Sequence, residues 1–124
     1  MAEAIARHYF GEWFDVASAG SFPNPIRPQT LAVIKELGIA TDALYPKHVD
    51  QFRSQSFDYV ITLCEGGQAC PLPPQHTFHL HAPMPDPIAA TGTSEEVLDQ
   101  FRKVRDAIRE YIVQIFPTLN HPLH

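Results

Sequence analysis

Phe57-Asp58-Tyr59-Val60-Ile61-Thr62-Leu63, FDYVITL in one-letter code, is the stretch on which the fold turns. Apolar residues occupy nearly every position, the pattern of a strand buried on both faces and not of one with a dry and a wet side. Strands of that kind belong to parallel sheets covered by helices, so helices are expected before and after it. A second strand is expected at Thr77 to Leu80.

The following helix has the clearest pattern in the chain. Thr93 and Glu96 form a capping box, and Val97, Phe101, Val104, Ile108, Ile112 and Ile115 recur at three- and four-residue spacing until Pro117. Upstream, Pro28 suits the first position of a helix whose apolar stripe is Leu31, Ile34 and Leu37 and which Gly38 closes. Pro46 precedes a short helical piece with Val49 and Phe52 turned inward, and Trp13 to Ala17 reads as a short buried strand. Met1 to Phe10 has Ile5 and Tyr9 one turn apart and no breaker before Gly11, so helix is expected from the first residue. This alternation predicts an α/β fold of three layers, α/β/α, around a mostly parallel sheet. A single domain is expected over residues 1–116, with residues 117–124 as a flexible tail.

Bulk composition narrows the function. A chain of 124 residues suits one domain with a real core, and 44% apolar with 19% charged residues is ordinary globular usage. A formal charge of −5 provides no basic surface for phosphates, so nucleic acid is not an expected partner. Glu3, Arg7, His8, Glu12 and Asp15 break up any leader-like apolar run, and no membrane span is expected; the reading is soluble and cytoplasmic.

In open parallel sheets ligands bind beyond the carboxyl ends of the strands, which points to the loops Ser18 to Arg27, Cys64 to Pro74 and His81 to Gly92. The second of these holds both cysteines, Cys64 and Cys70, in TLCEGGQACP. Spacing admits three readings. Two small buried hydrophobes fit Cys64 at a strand end. A redox pair fits the freedom of Gly66-Gly67 between the thiols. A zinc site would recruit His79 and His81, but strand alternation leaves His76 elsewhere, and Cys-x5-Cys is wider than the usual knuckle. Spacing does not choose between the first two. Asp86, between Pro85 and Pro87, suits a general acid or simply the start of a turn. His8, His48, His121 and His124 read as surface residues, and Arg102, Lys103, Arg105 and Arg109, alternating with Asp99, Asp106 and Glu110, read as a solvated face.

Six ordered matches then carry a resemblance: MAEA at 1–4, SAGSFP at 18–23, Pro28 opening a helix that ends in ELGI, FDYVITLC at 57–64, ACP at 69–71, and DPIAATGTSEEVLDQFRKVRDAI at 86–108. Together they resemble the thioredoxin-coupled arsenate reductases, which share the fold of the low-molecular-weight protein tyrosine phosphatases. The resemblance implies reduction of arsenate to arsenite for arsenic detoxification, with Cys64 and Cys70 as the second and third cysteines of a relay and Asp86 as general acid. It also implies a thioredoxin-like reductant, a ligand that is arsenate, arsenite or a phosphate-like oxyanion, and no cofactor.

The family's nucleophilic cysteine lies in a Cys-x5-Arg anion loop after the first strand, leading into the helix that begins MAEA. No Cys-x5-Arg occurs in these 124 residues. The expectation is therefore a chain missing the family's first strand, begun at an internal methionine or completed by a partner such as a second copy, and incompetent for arsenate turnover alone. Two further readings stand beside it: a non-catalytic dimeric thiol module that binds arsenite, zinc or a protein, and a phosphatase-like protein of the same fold.

Overall fold

In the computed structural model the capping box at Thr93 is formed: Thr93 Oγ1 accepts from the Glu96 amide at 3.2 Å, and Glu96 Oε1 accepts from the Thr93 amide at 3.3 Å. From it runs α3, Ser94–Ile115, which tightens into a 3-10 turn at Phe116–Thr118 where Pro117 ends the regular pattern. Phe101, Val104, Ile108 and Ile112 are buried along one stripe, as their spacing predicts. The structure describes residues 1–19, 26–42, 44–63, 75–85 and 90–119. The chain divides into two compact units, one of Met1–Ala17, Ile26–Leu44 and Pro87–His124, the other of Ser18–Pro25 and Tyr45–Asp86.

The first unit is helical. Helix α1, Ala2–Phe10, and helix α2, Pro28–Lys35, both pack against α3. Pro28 opens α2 as expected, and the chain leaves it through Gly38 at φ 76°, a left-handed conformation that glycine adopts without strain. Ile5, Val33 and Ile34 are wholly buried in this unit, and Phe10 and Phe14 each bring a ring to 5.3 Å from Phe116.

Two of the basic residues of α3, Arg102 and Arg105, depart from the solvated face expected of them, while Lys103 is exposed as expected. Arg105 has only 11% of its side chain exposed; its Nη1 donates to the Val33 carbonyl at 3.0 Å and to Glu36 Oε1 at 2.7 Å. Arg102 donates to Glu36, Glu95 and Asp99, joining both helices through one carboxylate. Hydrogen bonding from Arg102, reinforced by Arg105, holds the Glu36 carboxyl down at about 2. Burial opposes the charge on Arg105, but its bonds to Asp106 and Glu36 outweigh this and raise its pKa. A cation here satisfies a carbonyl in the last turn of α2, which has no partner within its own helix.

The second unit carries the sheet. Strand β1, Ser56–Thr62, pairs in parallel with β2, Gln75–His81, in the register Ser56 to Gln75, Tyr59 to Phe78, Val60 to His79 and Thr62 to His81. Both lie within two residues of their expected positions. Burial on both faces does not hold for β1: Phe57 and Tyr59 to Thr62 are half-buried, and β2 is mostly exposed. Among the described residues the sheet has two strands, so each has a neighbour on one side only. The short helical piece is a 3-10 turn, Val49–Phe52, and His48 is its cap and not a bystander, accepting from the Asp50 amide at Nδ1 over 3.0 Å.

Trp13 to Ala17 is not a strand. The amides of Trp13 and Phe14 both return to the Phe10 carbonyl, so the chain turns after α1, and the Val16 carbonyl is taken by Arg7 Nη2 at 2.6 Å. Trp13 is 43% exposed. An apolar run becomes a strand only where another strand offers its ladder, and none of the described residues pairs with this one. Among the described residues no helix is long and apolar enough to cross a membrane.

Candidate active site

Because β1 and β2 are parallel, their carboxyl ends lie side by side, and pairing continues past both strands. The Ala82 amide donates to the Thr62 carbonyl at 2.9 Å, and the Met84 amide to the Leu63 carbonyl at 2.9 Å. Leu63 is the residue before Cys64, and Met84 stands two before Asp86. The two segments on which sequence reasoning placed the chemistry therefore depart from neighbouring points of one sheet end, the ligand-binding end of such sheets. Cys64, Cys70 and Asp86 themselves, in segments 64–74 and 86–89, lie outside the described residues.

What is described at this end is a polar cluster. Thr62 Oγ1 lies 3.0 Å from His79 Nε2 and 2.6 Å from His81 Nδ1. A hydroxyl has one proton and two lone pairs, so it accepts from at least one imidazole and donates to the other or to the Leu80 carbonyl at 3.5 Å. His79 and His81 share a face through their i, i+2 spacing, as expected, and the register sets Thr62 directly opposite His81. The His76 ring stands 5.5 Å from that of His79. Among the described residues no group of three or more His, Cys, Asp or Glu is placed to hold a metal ion. Sequence reasoning missed Thr62: only the strand register brings it to the histidines.

The MAEA segment also takes a definite place. Glu3, in the first turn of α1, is buried and paired with Arg7 at 3.0 Å, one turn along the helix. The same arginine holds the Val16 carbonyl, so one guanidinium ties the segment after α1 to a buried carboxylate. A negative charge in a first helical turn is favoured by the helix dipole.

A family model described as low molecular weight phosphotyrosine protein phosphatase matches residues 1–123. The chain belongs to the low molecular weight phosphotyrosine protein phosphatase family. Within this phosphatase family its similar curated relatives include the arsenate reductase of Halalkalibacterium halodurans, 36% identical over 113 residues covering 90% of this chain and 81% of that protein. The arsenate reductase of Bacillus subtilis is 35% identical over 109 residues, covering 87% of this chain and 78% of that protein. Among solved structures, an arsenate reductase in the phosphate binding state superposes with a TM-score of 0.76 at 25% identity, over 96% of this chain and 87% of its own. The phosphatase-family fold is thus the α/β architecture with a parallel sheet that the sequence implied.

Proposed function

We propose that this chain is an arsenate reductase whose Cys64 and Cys70 perform the closing steps of a cysteine relay. The observation that carries the reading is its similarity to proteins named arsenate reductase across about nine-tenths of its length. A phosphatase of the same fold requires no second and third cysteine, which favours the reductase over the activity in the family's name.

The relay needs arsenic(V) bonded to the sulfur of a nucleophilic cysteine in an oxyanion loop. Asp86 supplies a proton to the oxygen that departs as this adduct forms. The Cys64 thiolate then attacks the nucleophile's sulfur. A sulfur–sulfur bond forms, the sulfur–arsenic bond breaks with its electron pair on arsenic, and arsenite leaves. Cys70 next attacks the Cys64 sulfur, which restores the nucleophile as a thiolate and leaves a Cys64–Cys70 disulfide. A thioredoxin-like dithiol reduces that disulfide and is itself oxidised, which suits the reducing cytoplasm. These 124 residues hold no Cys-x5-Arg, so the proposal assigns the oxyanion step to a loop outside this sequence. A second copy, supplying a strand to the side of β1 that has no neighbour among the described residues, is the proposed means of completing the sheet.

The test is a thioredoxin-coupled assay with the oxidised chain as substrate, followed by NADPH consumption. The parent chain is expected to be reduced with one NADPH per disulfide, while Cys64→Ser and Cys70→Ser are not. Arsenate added to the reduced parent chain is expected to give no turnover. Failure of the oxidised parent chain to accept electrons refutes the relay, and arsenate turnover refutes the need for an outside loop.

A further inference from the structure

Outside the relay, the feature that carries most is the meeting of Thr62, His79 and His81. The geometry points to a surface site for one divalent transition metal ion of the copper and zinc class, held by the imidazoles of His79 and His81, whose nitrogens already converge on the Thr62 hydroxyl. This site owes nothing to the cysteines and is independent of the arsenate reductase reading.

The backbone provides the preorganisation. His79 and His81 project from the same face of β2 because residues two apart on a strand do so. The parallel partner fixes Val60 and Thr62 opposite them. His79 Nε2 and His81 Nδ1 already aim at one point, since both contact the same oxygen at 3.0 and 2.6 Å. A cation that takes the place of the hydroxyl between the rings would be held at about 2.0–2.1 Å, the distance at which imidazole binds zinc. Both histidines are exposed, so water completes the coordination shell.

The ligand type selects the metal. Imidazole pairs suit copper, nickel and zinc and bind calcium or magnesium poorly, and copper(II) stands at the top of the affinity order. Two protein ligands make an exchangeable surface site and not a structural one. The site lies at the end of β1 that leads into the cysteine segment, with Thr62 two residues before Cys64.

The experiment titrates copper(II) into the full chain carrying Cys64→Ser and Cys70→Ser, so that thiols contribute nothing, and records binding by calorimetry and the ligand set by electron paramagnetic resonance. One ion per chain with two coupled imidazole nitrogens is expected. His79→Gln and His81→Gln are each expected to weaken binding at least about tenfold, whereas Thr62→Val, which removes a hydroxyl that the ion displaces, is expected not to weaken it. His76→Gln, His121→Gln and His124→Gln are expected to leave affinity unchanged. As a check that needs no substitution, zinc added to the parent chain with its thiols alkylated should protect His79 and His81, but not His76, from carbethoxylation mapped by mass spectrometry. Unchanged affinity in both His79→Gln and His81→Gln, protection that falls on other histidines, or no binding beyond that of free imidazole overturns the proposal. Its failure leaves the cysteine relay untouched, because no step of the relay uses these side chains.

Discussion

Replacing Arg105 by methionine keeps most of the side-chain volume and removes the more buried of the two cations that join α2 to α3. Arg105 Nη1 is the buried donor to the Val33 carbonyl, at 3.0 Å and 72 residues away in sequence. Without it that carbonyl is buried with no donor from α3, a loss of about 1–3 kcal/mol. Arg102 is the informative control, because it contacts the same Glu36 but otherwise reaches Glu95 and Asp99, which are 74% and 56% exposed. Exposed ion pairs of that kind contribute little, so Arg102→Met should cost less than Arg105→Met and lose its effect in high salt. Urea unfolding curves with equal slopes and shifted midpoints measure both. Acid supplies an independent arm. Glu36 is held at about 2, down from 4.5, so its folded pKa lies below its unfolded one. Its contribution is therefore complete above about pH 4.5 and is lost as pH falls through 2. Glu36→Gln should flatten the loss of stability across that window. An Arg102→Met variant as destabilised as Arg105→Met, or a Glu36→Gln chain with the parent's acid profile, would refute the buried-arginine reasoning.

Other substitutions probe the remaining supports. Ile34→Ala, at a wholly buried site in α2, should cost about 2–5 kcal/mol in urea unfolding, whereas the same assay on Val113→Ala, exposed on α3, should show a change within about 0.5 kcal/mol. Thr93→Ala removes one half of the capping box and should cost about 1 kcal/mol, with amide protection lost first at Glu96 as read by hydrogen exchange.

Much of this was readable from local pattern. The span of α3, its cap and its buried stripe follow from side chains within one or two turns of each other, so the sequence states them almost completely. The same holds for Pro28 and Gly38 around α2 and for the two strands, whose positions were off by no more than two residues. What escaped depends on partners distant in sequence. Glu36 and Arg105 are 69 residues apart and meet only because α2 packs on α3, so a pattern of alternating charge looked solvated. Trp13 to Ala17 has strand-like composition, yet composition does not provide a neighbouring strand, and Arg7 takes the Val16 carbonyl. Thr62 joins His79 and His81 only through the strand register. For Cys64, Cys70 and Asp86, spacing left several chemistries open; resemblance, and not local pattern, singled out the relay.

The relay stands most directly on whether Cys64 and Cys70 can form one disulfide. Cleavage after basic residues places both in a single peptide, residues 54–102, because no lysine or arginine lies between Arg53 and Arg102. Treating the reduced chain with glutathione disulfide and weighing that peptide therefore measures the outcome in one step. The relay predicts a peptide lighter by a pair of hydrogen atoms and free of glutathione, with Cys70→Ser instead trapping one glutathione on Cys64. A parent peptide that keeps two thiols, or carries a glutathione on each cysteine, would contradict it.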